Sequence, residues 1–598
     1  MEKRNGRIRL GTKLLVLVVV VLAIPVGVGV TPAQSPLPMP GYFRDNIFTR
    51  DFVPPGKERI SDLIERLTKE GKVTISEADV IAVALQNSLD IQVQRETVPP
   101  ADYDVLKTYS PFDPIFTATA NNDRRLSPSS NFLQSGVFGQ VIPISNLSQN
   151  FNFSYLQAFQ TGTNARIDYD NSKAFISSRL ASLNPSITSA LRLSFTQALL
   201  KNRGVGVNSV PIKIAKNNRD ITKEQFSLTV INIMNQALNL YWEVVFARED
   251  IRVRQASLDL AIKTNEDNKR QVEIGTLAPI DVVQSETSVA ARRLEVTTAQ
   301  YTLQQTEDTL KRFLSPTRDP GAVIAKLEPV DRPKPPTAEE TPKVSEAITE
   351  AINNRPELTQ ARLDLQNRDL RLQFTKNQLL PQIDVNGGYQ WIGLAGNSPV
   401  LDSQGNPVVG PDGKNIIVTA GYPETTRQLF SFQFPEYFFG VSLALPIRNK
   451  SAQADFGRAS YEKRQSDANL RLSEQQVALQ VRNAITTVEM NKARIQEAKR
   501  TRELQEKTLD AENKKYQLGA STIRFVLQEQ TNLAVVQDVE IRAEVDYAKS
   551  KIALAQAEGL LLRNYGVQIE DVLGGNEQTP KKPTADLRAV TATTGNNR

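Results

Sequence analysis

Chemistry in a protein starts from side chains that move protons, bind metals or attack carbon, and two of the most versatile, histidine and cysteine, are absent from this 598-residue chain. Their absence removes thiol nucleophiles, disulfides, nearly all zinc, copper and haem ligation, and histidine as a general base. Carboxylates remain, but no D-x-D-x-D-G-type loop occurs, and neither does a P-loop, a G-x-S-x-G or a G-x-G-x-x-G. The adjacent pair Glu339-Glu340 stands in EPVDRPKPPTAEETPK (328–343), a proline-rich linker. No catalytic residue, metal site or cofactor is expected. The 72 basic and 66 acidic residues leave a net charge of +6. They are spread along the chain without a basic patch interleaved with aromatics, so no nucleic-acid partner is expected.

What recurs is a glycine-centred turn. QVEIGTLAPIDVVQSETSV (271–289) aligns without gaps on KYQLGASTIRFVLQEQTNL (515–533). Ile274-Gly275-Thr276 lies over Leu518-Gly519-Ala520, Asp281 over Phe525, and Gln284 over Gln528. Gly275 and Gly519 suit the left-handed position that ends a helix. Pro279 fits the first turn of a following helix, and Asp281 falls where a carboxylate favours a helix N-terminus. Each stretch is therefore the tip of a helical hairpin, and the tips must point the same way.

The elements that carry these tips are long. From Phe226, the residues Val230, Ile233, Ala237, Leu240, Val244, Ala247 and Ile251 run at alternating spacings of four and three. Ile231, Met234, Leu238, Tyr241 and Val245 form a second stripe, and Ile541, Val545, Ala548, Ile552, Ala555, Gly559 and Leu562 repeat the spacing later. Sustained heptads specify left-handed coiled-coil packing, and two adjacent stripes mean two neighbours per helix. Shorter helices begin at ISEADV, with Ser76 as cap and Asp79 completing a capping box, and at VSEAIT, where Ser345 is the expected cap.

Between short and long helices lie segments of period two. Phe151, Phe153 and Tyr155 alternate with Asn150, Asn152 and Ser154, and Leu191, Leu193 and Phe195 with Arg192 and Ser194. In the second half Ile383, Val385, Tyr389 and Trp391 oppose Asp384, Asn386 and Gln390. Phe430, Phe432 and Phe434 oppose Ser431 and Gln433, and Val441, Leu443 and Leu445 oppose Ser442 and Ala444. These read as strands with one apolar and one polar face, in a soluble sheet or a membrane barrel. Residues 121–149, 160–187 and 395–425, rich in Gly, Asn, Ser and Pro, read as exposed loops.

The expected organisation is a signal peptide (1–33) and an N-terminal lead (34–75) with a helix over 57–70. A first repeat (76–314) carries strands at 112–196 and a hairpin at 206–314. A linker (315–343) leads to a second repeat (344–566), with strands at 382–447 and a hairpin at 450–564, and to a disordered tail (567–598). The apolar run 14–30 after a cationic start indicates export, through cleavage after Ala33 or as an uncleaved anchor. Two clear strands per half give about four per chain, with room for more in 112–196; four strands cannot close a barrel, and an open sheet edge is not tolerated in lipid. Several copies must therefore pool their strands.

This duplicated plan, with its two hydrophobic–glycine–small tips, resembles the TolC-like outer membrane efflux protein family over roughly residues 76–566. The implied fold class is mostly α with a β-barrel part: an α-helical barrel and a transmembrane β-barrel of 12 strands, completed by trimerisation. The resemblance implies an export channel in the cell outer membrane, with its helical part in the periplasm. It implies docking of a periplasmic adaptor protein and an inner-membrane pump at Ile274, Gly275, Thr276, Leu518, Gly519 and Ala520. Asp281, Gln284, Phe525 and Gln528 become aperture candidates. Phe525 stands where an acidic residue is usual, a departure that puts an acidic constriction ring in doubt and leaves an apolar one open. Against these roles stand plain helix capping for the glycines and plain N-terminal electrostatics for Asp281. The rival to the duct is an exported coiled-coil surface protein such as an adhesin stalk, which explains the heptads but not the strands inserted in both halves.

Overall fold

The computed structural model describes residues 68–69, 72–129, 142–178, 181–314, 326–332, 342–404 and 406–574. The expected signal peptide, most of the lead and linker, and the last 24 residues lie outside them. Thr68–Lys69, at the end of the expected lead helix, are instead a short strand, β1. It pairs antiparallel with β2 (Lys72–Ile75), and β2 pairs in parallel with a strand from the linker, Lys326–Pro329 (β7).

Three helices follow β2: α1 (Glu77–Asn87), α2 (Leu89–Arg95) and α3 (Val98–Lys107). Ser76 caps α1, and its N–H donates to Asp79 in return, which is the expected capping box. Then come strands β3 (Ile115–Ser127), β4 (Ile144–Ala158), β5 (Thr163–Ile176) and β6 (Ser186–Ala198). The first long hairpin is α4 (Val210–Glu273) and α5 (Pro279–Leu314). After β7 the order is α6 (Val344–Asn354), α7 (Pro356–Gln378), β8 (Gln382–Pro399), β9 (Ile417–Thr419), α8 (Tyr422–Phe430) and β10 (Pro435–Ala444). The second long hairpin is α9 (Lys450–Gln517) and α10 (Ile523–Ala557), and two short helices, α11 (Leu561–Asn564) and α12 (Ile569–Gly574), end the described chain.

Both stripes of α4 are buried: Phe226, Val230, Ile233, Ala237 and Val244 on one, Ile231, Met234, Leu238 and Tyr241 on the other. They pack with Val80 and Ile81 of α1, Leu310 of α5, Leu327 of β7, and Val545 and Ile552 of α10 in one cluster. Each such side chain stabilises by about 1.5–3 kcal/mol relative to exposure. A second cluster joins Ala347 and Ala351 of α6 and Leu358 of α7 to Val481 and Ile485 of α9 and Tyr547 of α10.

Several expectations give way. Helix α6 starts at Val344 with Lys343 in the cap position, so Ser345 sits inside the first turn and caps nothing. The third heptad stripe stops with α10, because Gly559 turns left-handed (φ +73°) against the backbone of Asn354. Residues 569–574, expected within a disordered tail, form α12 with Val572 buried. Phe430 ends a helix, Phe432 has φ +54°, and the strand begins only at Pro435.

The strand count, left open over 112–196, resolves to four strands in that stretch. Six long strands form one antiparallel sheet in the order β10-β8-β6-β5-β4-β3, with β9 on the edge of β8. Four come from the first half, because 121–127, 144–149 and 163–176 are strand rather than loop. The twelve strands implied by the resemblance rest on four per chain and do not follow from this sheet.

Tyr241 ties the joint between the halves. Its hydroxyl donates to Asp331 Oδ2 (2.9 Å), which also accepts from the Glu77 N–H (2.8 Å). Trp242 Nε1 donates to Glu77 Oε1 (2.7 Å). Burial first, and then the Asp331 carboxylate, push the Tyr241 phenol above its ordinary range. Tyr241→Phe leaves Asp331 short of a donor in a buried setting, so it should cost about 1–3 kcal/mol, read as a lower thermal midpoint with the native circular dichroism retained.

Candidate functional site

Three features could serve function: the two tips, the seam between the hairpins, and the faces of the sheet. At the first tip, Gly275 has φ +80°, its N–H donates to the Val272 carbonyl (3.0 Å), and the Thr276 N–H donates to that of Gln271 (2.9 Å). At the second, Gly519 has φ +73°, with Gly519 to Tyr516 at 2.9 Å and Ala520 to Lys515 at 2.9 Å. Both are the same double-bonded helix ending, which requires a left-handed residue at its centre. Pro279 is the first residue of α5, and Asp281 lies in its first turn. Ile274 and Leu518 stand out in solvent, 73% and 83% exposed. Such apolar side chains at a turn fill no core.

Asp281 is half-buried, while Gln284 and Phe525 are exposed. Gln528 is also exposed and bonds within its own helix to Asn532 (3.1 Å). The fold brings Asp281 close to Tyr516 of the other hairpin, whose phenol is raised by burial first and then by that carboxylate. No hydrogen bond or ion pair among the described residues joins Gln284 to Gln528.

The hairpins meet along a polar seam. Tyr516 donates to Asn268 (3.1 Å), Gln530 to Thr264 (3.0 Å), and Arg292 to Thr531 (2.5 Å). Within the first hairpin Ser285 donates to Asn265 (2.8 Å). Farther from the tips the seam becomes ionic. Arg542 and Lys549 of α10 bind Glu243 of α4, and although burial opposes them, their hydrogen bonds hold its carboxyl below the usual range. Asp538 faces Asp250, which binds Arg254 at 2.8 Å. Burial, then the Asp250 carboxylate, raise the Asp538 carboxyl.

Sequence reasoning missed this seam, though a signal existed. Continuing the α4 stripe past Ile251 at the same spacing lands on Arg254, Leu258, Ala261, Asn265 and Asn268. Running the α10 stripe back from Ile541 reaches Asp538 and Thr531. The heptad continues, with polar residues interleaved among buried apolar ones such as Leu258 and Ala261.

Across the sheet, Phe116, Tyr155, Ile167, Leu193, Tyr389 and Tyr437 lie in register on one face. All six are exposed. The adjacent row on the opposite face is Thr117, Ser154, Asp168, Arg192, Gln390 and Glu436. An apolar outer band with a polar inner face is the pattern of a transmembrane barrel. Helix α8 packs on the apolar face over Gly393, where a Cβ would lie 2.4 Å from the Thr425 carbonyl oxygen. Buried Ser189 there donates to Asn171 Oδ1 (2.7 Å) and lies 3.0 Å from the Thr425 hydroxyl.

Residues 347–560, from within α6 to just past α10, match the model of the family described as outer membrane efflux protein. This segment is similar to the outer membrane efflux protein family. Solved structures of channels share the fold over about four fifths of this chain. The Campylobacter jejuni CmeC outer membrane channel is 13% identical, with 84% of this chain and 89% of that one covered and a TM-score of 0.53. The outer membrane protein VceC from Vibrio cholerae is 15% identical, with coverage of 81% and 96% and a TM-score of 0.52. Nodulation protein T of Rhizobium leguminosarum bv. trifolii is 21% identical over 341 residues, 57% of this chain and 66% of that relative. Among the described residues no group of three or more carboxylates is placed to hold a metal ion, and no helix is long and apolar enough to cross a membrane.

The Asp538–Asp250 pair gives a pH signature. A carboxyl raised on folding stabilises the fold where it is protonated, and that contribution is lost as pH rises through its folded-state pKa. Asp538→Asn should therefore raise the melting temperature at pH 7, and the gain over the unchanged protein should close by about pH 4, near the ordinary carboxylate range.

Proposed function

We propose that this chain is the outer membrane exit duct of a tripartite efflux or type I secretion system. Three copies would pool their sheets into one barrel in the outer membrane and their long hairpins into one tunnel below it. Solutes would cross passively, driven by an inner-membrane pump joined through a periplasmic adaptor. The observation that carries this reading is the pair of unbroken rows across six strands, one apolar and one polar, on a sheet whose two edges lack partners among the described residues. A coiled-coil stalk needs no such sheet. The efflux-family segment over 347–560 supports the same reading.

Under this proposal the tips are the adaptor contact. Ile274 and Leu518 offer apolar knobs, and the flanking Gly275-Thr276 and Gly519-Ala520 leave room for a partner helix end. Nothing lies within 4 Å of where a Cβ would stand on either glycine. Asp281, Gln284, Phe525 and Gln528 would edge the aperture, with Phe525 making part of it apolar. Cargo would be selected by the pump rather than by the duct.

Purified with detergent and added to planar bilayers, the protein should conduct ions as a trimer; well-folded trimers that never conduct would overturn the duct. Gly275→Trp combined with Gly519→Trp should keep the trimer and lower export in cells at least tenfold. Unchanged export by stable double-mutant trimers would remove the docking role.

A further inference from the structure

The sheet has two edges, β3 with 13 residues and β10 with 10. Each is paired along one side only among the described residues, β3 with β4 and β10 with β8. Leaving the helices, β3 runs outward; β10 runs back toward them. A β10 edge laid on the β3 edge of another copy is therefore antiparallel, like every other pairing in the sheet. Faces match as well, because Tyr437 of β10 and Phe116 of β3 share the apolar face.

The arc spanned by one copy tests how many strands belong in the wall. Strands about 4.8 Å apart, tilted by about 40°, each take about 6.3 Å of circumference, so six take about 38 Å. Four helices of each copy adjoin the sheet: α3 before β3, α4 after β6, α7 before β8 and α9 after β10. At about 8–10 Å between axes, these take roughly 32–40 Å. Six strands thus span about the same arc as the four helices beneath them.

We propose that this protein's barrel has 18 strands, six from each of three copies, sealed where β10 of one copy pairs with β3 of the next. This rests on the exit-duct reading and deepens it. The backbone wall is about 36 Å across, against about 24 Å for 12 strands, since diameter grows with strand number. The outer port is as wide as the tunnel and does not select cargo by size. Bulky or chain-like solutes that clear the tips meet no narrower ring of barrel wall.

The cysteine-free sequence allows a direct test. Ser442 on β10 and Thr117 or Thr119 on β3 all lie on the polar face. Ser442→Cys combined with Thr117→Cys or Thr119→Cys, oxidised in membranes, should give covalent dimers and trimers that neither single variant gives. Ser442→Cys with Asp168→Cys on β5 should give none. Electron cryomicroscopy of the unaltered trimer should count 18 strands. Conducting trimers that crosslink β10 to β5, or that show 12 strands, overturn this inference and leave the duct standing. A chain that purifies as a detergent-free monomer overturns both.

Discussion

Unpaired backbone along a sheet edge is the constraint on which this molecule turns. In water, the N–H and C=O groups along the free sides of β3 and β10 can be solvated. In hydrocarbon each unsatisfied group costs several kcal/mol, so a ten-residue edge cannot remain open there. The same sheet shows six exposed apolar side chains in one row and six polar ones in the next. In the proposed duct a closed wall satisfies both facts, with lipid against one face and water against the other. Assembly, membrane position and bore thus reduce to one demand on hydrogen bonding.

The helical part changes character along its length. Around Phe226, Met234 and Tyr241 it is held by apolar packing in which side chains are fully buried. Past Ile251 the same stripe also carries Arg254, Asn265 and Asn268, and hydrogen bonds and ion pairs join a smaller apolar cluster around Leu509, Ile523 and Val526. A net hydrogen bond is worth about 0.5–1.5 kcal/mol, less than most buried apolar side chains. In the proposed duct the joint near the membrane is therefore firm, and the hairpins are easiest to part toward their tips.

Legibility in the sequence followed how strongly each element is patterned. The α4 stripes were readable because coiled-coil burial repeats every seven residues without interruption. Gly275 and Gly519 were readable because few residues tolerate a left-handed helix ending. Strand β5 was not: TNARIDYDNSKAFI is polar on its inner face and also where the outer face extends beyond the apolar rows, so it reads as loop. Phe430, Phe432 and Phe434 misled in the other direction. Their period-two spacing comes from a helix end, a left-handed turn and a strand start rather than from one strand. The polar seam was lost because its residues keep the heptad positions while abandoning heptad chemistry.

Amide hydrogen exchange in lipid vesicles, resolved strand by strand, tests the central claim most directly. If copies of the chain satisfy one another's edges, amides of β3 and β10 should exchange as slowly as those of the interior strands β5 and β6. Fast exchange confined to the outward-facing amides of β3 and β10, beside protected interior strands, would mean that the edges remain open and that the sheet is not part of a closed wall.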